Sequence, residues 1–68
     1  MTVYVNGEAR SIHEGATVAE VVAGMGRSGD ARGIAVAVNG EVVTRSEWPQ
    51  TELAENDRLE VLAAIGGG

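Results

Sequence analysis

Two Asn-Gly pairs, Asn6-Gly7 and Asn39-Gly40, strongly constrain how this chain can fold. Each pair lies between runs rich in β-branched residues, and both residue types accept positive φ angles, so each pair predicts a two-residue β-hairpin turn. The first turn joins a strand over 2–5 to a return strand over 8–12, and the second joins strands over 34–38 and 41–43. The chain is therefore expected to contain at least two hairpins.

A short helix is predicted between the two hairpins. Thr17 and Glu20 have the spacing of a capping box, in which each side chain bonds the backbone N–H of the other residue. The helix should run from Val18 to about Met25 and end at the glycines that follow. Its apolar residues recur at helical spacing and form one stripe: Val18, Val21, Val22 and Met25.

The last strand is predicted from an alternating pattern before the C-terminal glycines. Leu59 and Val61 alternate with Glu60 and Leu62, so one set should face the core and the other the outer surface. Leu53 should fill the core from a loop. These elements give the order β-β-α-β-β-β, a mixed sheet covered by one helix, with the first and last strands paired in parallel at its centre. The fold class is α+β.

The segment between the second hairpin and the last strand should be irregular. Ser46 is expected to cap a single helical turn that ends at Pro49. Trp48 has two possible roles, to cap the core from this segment or to anchor a partner protein, and the first is favoured.

Composition excludes several classes of function. The 68 residues include no cysteine and one histidine, which excludes disulfides and thiolate metal sites and makes a structural zinc site improbable. A net charge of −5 argues against nucleic acid as a partner. No apolar run approaches the length that spans a membrane, and a cytoplasmic location is expected. His13 fits a general base by residue type, but no partner for it is evident, and it is interpreted as a surface histidine.

Three glycines, Gly66, Gly67 and Gly68, close the sequence. Glycine adds no packing to a domain and loses the most backbone entropy on folding. We therefore expect residues 1–64 to form the domain and residues 65–68 a flexible tail. A frayed end or an expression remnant would also explain the glycines. The functional interpretation is a thin arm that threads an enzyme cleft and carries a reactive carboxylate at Gly68.

Most of the chain resembles the ubiquitin-like sulfur carriers of β-grasp fold, and most closely the thiamine-biosynthesis sulfur carrier family, ThiS. The combination of Arg45-x-x-Trp48 with the closing glycines is the most specific part of this resemblance. Thr44 and Asn56 depart from it, because the family usually has proline and glycine there; Asn56 tolerates positive φ. The other segments that carry the resemblance are Thr17-Val18, Ile34 to Val43 and Asp57 to Leu62.

The resemblance implies a carrier that is not itself an enzyme and binds no cofactor. An E1-like adenylating enzyme of the ThiF type would use ATP to form an acyl-adenylate at Gly68. A sulfur donor such as a cysteine desulfurase would then leave a thiocarboxylate there, and a thiazole synthase of the ThiG type would accept the sulfur. Gly66 and Gly67 would thread the enzyme clefts.

Partner docking is expected at an apolar surface with an acidic rim. Glu60, Leu62 and Ile65 are the candidates, although Leu62 would equally suit an ordinary exposed leucine. Three alternatives stay open: a sulfur carrier for molybdopterin or another sulfur-containing metabolite, a ubiquitin-like modifier that joins Gly68 to target lysines, and an inert binding module.

Overall fold

The computed structural model describes residues 1–27 and 33–63. Within these ranges one five-stranded mixed sheet carries a short helix on one face, in the predicted order. The elements are β1 (Thr2–Val5), β2 (Glu8–Ser11), α1 (Val18–Val22), β3 (Ile34–Val38), β4 (Glu41–Val43) and β5 (Arg58–Ala63). The predicted boundary between domain and tail, at residues 64 and 65, lies outside the described residues.

The last strand is the centre of the sheet. The strand order is β2-β1-β5-β3-β4, so each hairpin contributes one inner strand and one edge strand. β5 pairs in parallel with β1 and antiparallel with β3. The predicted central pairing of the first and last strands is therefore confirmed.

Both hairpin turns have the expected backbone conformation. Asn6 and Asn39 each have a φ of 51°, and Gly7 and Gly40 follow at 85° and 87°. Positive φ at both central residues defines the type I′ turn, whose twist matches that of paired strands. Asn56 also has a positive φ, 70°, which explains how asparagine is accepted at that position.

The helix begins with the predicted capping box. The Glu20 N–H donates to Thr17 Oγ1 at 3.3 Å, and the Thr17 N–H donates to Glu20 Oε2 at 3.1 Å. The α-helix ends at Val22, and the chain continues as a π-helical segment, Ala23–Arg27, so the predicted helix is present but changes type after Val22. Gly24 and Gly26 lie in this segment, and glycine weakens an α-helix by about 1 kcal/mol per residue.

One core lies between the helix and the inner face of the sheet. Its members come from the strands, the helix and the loop before β5: Val3, Val5, Val18, Val22, Val36, Trp48, Leu53, Leu59 and Val61. Leu53 and Trp48 are 5% and 4% exposed, as predicted. The Trp48 Nε1–H donates to the Val43 carbonyl at 3.0 Å, which satisfies its one polar group.

The segment after β4 is a 3₁₀ helix, Arg45–Gln50, that contains Pro49. It begins earlier than predicted, because the Thr44 carbonyl accepts from the Glu47 N–H at 2.9 Å. Thr44, not Ser46, precedes its first residue. The early start brings the Trp48 side chain over the core.

Candidate functional site

The strand that leads to the C-terminal glycines is held on both sides. β3 pairs along β5 from Leu59 to Ala63, whereas β1 pairs with β5 only at Arg58 and Leu59. β5 therefore extends past the end of β1 in the direction of the C-terminus. The predicted tail residues Gly66, Gly67 and Gly68, and the docking candidate Ile65, lie outside the described residues.

The alternation of β5 separates core residues from surface residues. Leu59 and Val61 are buried, whereas Glu60 is exposed and Leu62 is 65% exposed. Leu62 pairs with Ala35 and Glu60 pairs with Ala37. Since directly paired residues lie on one face of a sheet, these four residues share the outer face, opposite the helix.

Val42 belongs to the same face and was not identified from the sequence. It pairs with Ala37 and is 75% exposed. The sequence could have placed Val42 on this face, because a two-residue turn at Asn39-Gly40 fixes Val38 opposite Glu41 and hence Ala37 opposite Val42. We call Ala35, Ala37, Val42, Leu62 and Glu60 the outer patch.

The outer patch has the character expected of a docking surface. The small side chains of Ala35 and Ala37 lie between the exposed Leu62 and Val42 on neighbouring strands, which leaves a shallow apolar surface with a carboxylate beside it. Exposed apolar side chains grouped on one face often mark protein interaction sites. Tyr4, 36% exposed, lies farther along the same face beside Arg58.

His13 has a partner that sequence reasoning missed. Its Nε2 lies 2.8 Å from Glu20 Oε1, and its Nδ1 lies 2.8 Å from the Glu14 carbonyl. Both partners are acceptors, so only the imidazolium can donate to both. The hydrogen bond to Glu20, then the one to the Glu14 carbonyl, raises the pKa of His13, and the hydrogen bond from His13 lowers the pKa of Glu20.

The His13–Glu20 pair is a surface ion pair at the helix start, remote from the outer patch in the fold. Both side chains are more than half exposed. Such exposure differs from the dry, enclosed setting in which a general base is tuned for catalysis. Among residues 1–27 and 33–63, no three His, Cys, Asp or Glu side chains gather as metal ligands would.

The part of the chain that the structure describes contains no helix long and apolar enough to cross a membrane.

Comparison with known proteins gives one consistent family. The model of the ThiS family matches residues 3–68. The sulfur carrier protein ThiS of Thermus thermophilus is 39% identical over 66 residues, covering 97% of this chain and 98% of that protein. The crystal structure of the thiamine biosynthesis protein ThiS from Geobacter metallireducens has a TM-score of 0.80 at 30% identity, with 100% of each chain covered. The β-grasp fold class is thereby confirmed.

Longer proteins also contain a similar segment. The thiazole synthase of Paramagnetospirillum magneticum is 37% identical over all 68 residues. A second thiazole synthase, from Magnetococcus marinus, is 34% identical over the same length. This chain spans only 20% of the length of either protein.

Proposed function

This chain belongs to the ThiS family, and from that premise we propose that it serves thiamine biosynthesis by carrying sulfur on Gly68. It is a carrier protein rather than an enzyme, as the name of its relative of almost the same length, sulfur carrier protein ThiS, indicates. The observation that supports the proposal best is full-length similarity to a ThiS protein of almost the same size. The proposal also includes the chemical steps that load sulfur onto Gly68.

The proposed reaction begins with activation, because a carboxylate is a poor electrophile. A ThiF-type enzyme joins the Gly68 carboxylate to the AMP part of ATP and releases pyrophosphate. The terminal sulfur of a persulfide, supplied by a donor such as a cysteine desulfurase, then attacks the acyl carbon and displaces AMP. A second thiol attacks the donor's cysteine sulfur in the resulting acyl disulfide, forms a disulfide with it and releases the thiocarboxylate on Gly68.

A thiazole synthase of the ThiG type is the proposed acceptor of this sulfur. Two relatives named thiazole synthase contain a segment similar to this entire chain. When one polypeptide carries two units, each is at high effective concentration for the other. Such linkage favours a direct transfer between carrier and synthase. Gly66 and Gly67, which lack side chains, would let the arm enter the clefts of both enzymes.

The outer patch is the proposed docking surface for these enzymes. Leu62 and Val42 present apolar area, and Glu60 adds negative charge, which would accelerate encounter with a basic partner surface. Ile65, two residues beyond β5, is the remaining candidate for contact.

Steady-state adenylation assays separate the roles of arm and patch. We expect deletion of Gly67-Gly68 to abolish ATP–pyrophosphate exchange with the adenylating enzyme, while the unfolding midpoint stays unchanged. Leu62→Ser and Val42→Ser should each raise the KM of the adenylating enzyme for this protein by about tenfold. Loss of a buried interface contact costs on the order of 1–2 kcal/mol. Ala9→Ser, at the far edge of the sheet, should leave KM unchanged. ATP–pyrophosphate exchange in the presence of the variant that lacks Gly67-Gly68 would contradict the proposal.

A further inference from the structure

In both hairpin turns the asparagine side chain is hydrogen-bonded to a neighbouring strand. Each Asn-Gly turn places its asparagine side chain against the central strand β5, but at different points along it. Asn39 reaches the start of β5, where its Oδ1 accepts from the Arg58 N–H at 3.1 Å. Asn6 reaches the second half of β5, three residues closer to the C-terminus.

The Asn6 amide binds both polar groups of one peptide residue. Its Oδ1 accepts from the Val61 N–H at 2.9 Å, and its Nδ2 donates to the Val61 carbonyl at 3.1 Å. The Asn6 N–H also donates to the Leu59 carbonyl at 2.9 Å. The side chain thus continues the hydrogen-bonding pattern of the β1–β5 pair beyond the point at which the β1 backbone turns away.

This contact holds the part of β5 that β1 cannot reach. Without it, β5 beyond Leu59 would be paired on the β3 side alone among the described strands. Leu62 of the outer patch and the residues that lead to Gly68 all follow Val61 directly in sequence. The amide contact therefore acts two residues before the end of β5, the strand that leads to the proposed reactive group.

We propose that Asn6 is a positioning residue for the transfer reaction, because its side-chain amide restrains the second half of β5, from which the chain continues toward Gly68. The inference rests on the proposed carrier function. A domain that docks through the outer patch delivers Gly68 efficiently only if few residues remain to be ordered in the enzyme cleft. Release of Val61 from Asn6 leaves the end of β5 held by β3 alone, which increases the backbone freedom that must be lost when the arm is ordered.

Glycine is the informative substitution, since it keeps the positive φ of the turn and removes only the amide. Asn6→Gly should lower kcat of adenylation by at least about fivefold, the factor for ordering one further backbone residue. KM should change little, because the outer patch is intact. Asn6→Asp should also lose activity, since a carboxylate accepts from the Val61 N–H but cannot donate to its carbonyl.

Asn39→Gly is the matched control. It removes a side chain from the same turn type with the same φ, and with it two hydrogen bonds, one to β5 at the opposite end and one to the Asp57 carboxylate. It should destabilise the domain to a similar degree while kcat stays at the wild-type value. Equal losses of kcat in both variants, or none in Asn6→Gly, would overturn the proposal.

Amide hydrogen exchange gives a readout that is independent of the enzyme. Exchange of the Val61 N–H should accelerate in Asn6→Gly and not in Asn39→Gly. Unchanged Val61 exchange in Asn6→Gly would disprove the proposed restraint. If wild-type protein gave no adenylation, the proposed function would fail and the catalytic role of Asn6 with it, but the Val61 measurement would still decide whether the restraint exists.

Discussion

At the scale of single residues, His13 forms hydrogen bonds that depend on pH. It bridges Glu20 and the Glu14 carbonyl, two acceptors, each at 2.8 Å from a ring nitrogen. Glu20 is at the same time the third helical residue of the capping box. Protonation of His13 therefore bears on the start of the only α-helix in the described ranges.

The direction of the pH dependence follows from the two pKa shifts. Because folding raises the pKa of His13, its contribution to stability is complete below the ordinary histidine pKa and disappears as pH rises through the folded-state value. Because folding lowers the pKa of Glu20, its contribution is present above the ordinary glutamate pKa and disappears as pH falls through the folded-state value. The pair stabilises the fold most between about pH 4.5 and 6.5.

We therefore predict that His13→Gln lowers the melting temperature most near pH 5.5, roughly the middle of that range, and much less at about pH 8. An NMR titration of the His13 ring should give a pKa above the ordinary value. In Glu20→Gln, which keeps the capping box, that pKa should return toward the ordinary value. A His13 titration that Glu20→Gln does not alter would contradict this assignment.

At the scale of elements, the helix depends on its N-cap residue and on the loop packed against its start. α1 has only five residues, and a helix this short is not stable without caps and tertiary contacts. The capping box supplies one of these restraints, and the loop at residues 51–53 supplies another. The Val18 N–H donates to the Thr51 carbonyl at 3.0 Å, and the Leu53 N–H donates to the Ala16 carbonyl at 2.9 Å.

Thr17→Ala should cost about 1 kcal/mol of unfolding free energy, the usual value for loss of an N-cap side chain. Urea denaturation monitored by Trp48 fluorescence would measure it. Thr44→Ala is the control, because Thr44 precedes the 3₁₀ helix and its side chain caps no backbone N–H; it makes an exposed hydrogen bond to the Glu47 carboxylate, at 3.0 Å. The control should change stability by less than about 0.5 kcal/mol. Equal effects of the two substitutions would refute the role of the capping box.

Local signals in the sequence predicted most elements. The Asn-Gly turns and the capping box each depend on residues a few positions apart, so a single sequence contains the whole pattern. The α-to-π change after Val22 and the early start of the 3₁₀ helix were missed. Both depend on how the chain satisfies its backbone groups in the folded protein, which residue type alone does not determine.

The candidate site was only partly predictable. The exposure of Leu62 followed from the alternation of β5, whereas Val42 required the register of β4 against β3. The contact of Asn6 with Val61 joins residues 55 positions apart, and it depends on the parallel register of β1 and β5. Registers between distant strands arise from the packed sheet as a whole.

At the scale of the whole molecule, the two faces of the sheet differ in how far their apolar side chains are covered. The inner face and the helix enclose a core of aliphatic residues and one tryptophan. The outer face leaves Leu62 and Val42 exposed, at 65% and 75%, although burial of such side chains is favourable. A domain this small has a thin margin of stability, so apolar side chains left in solvent agree with the docking surface proposed above.

The central claim is that Gly68 carries sulfur, and the absence of cysteine makes one measurement decisive. The protein would be incubated with ATP, the adenylating enzyme and a sulfur donor, treated with a thiol-selective alkylating reagent, and its intact mass recorded. We predict a single adduct that fragmentation locates on Gly68. An unmodified mass would contradict the carrier function, provided that a ThiS protein incubated in the same way consumes ATP. Attachment of Gly68 to lysines of other proteins would favour a protein modifier.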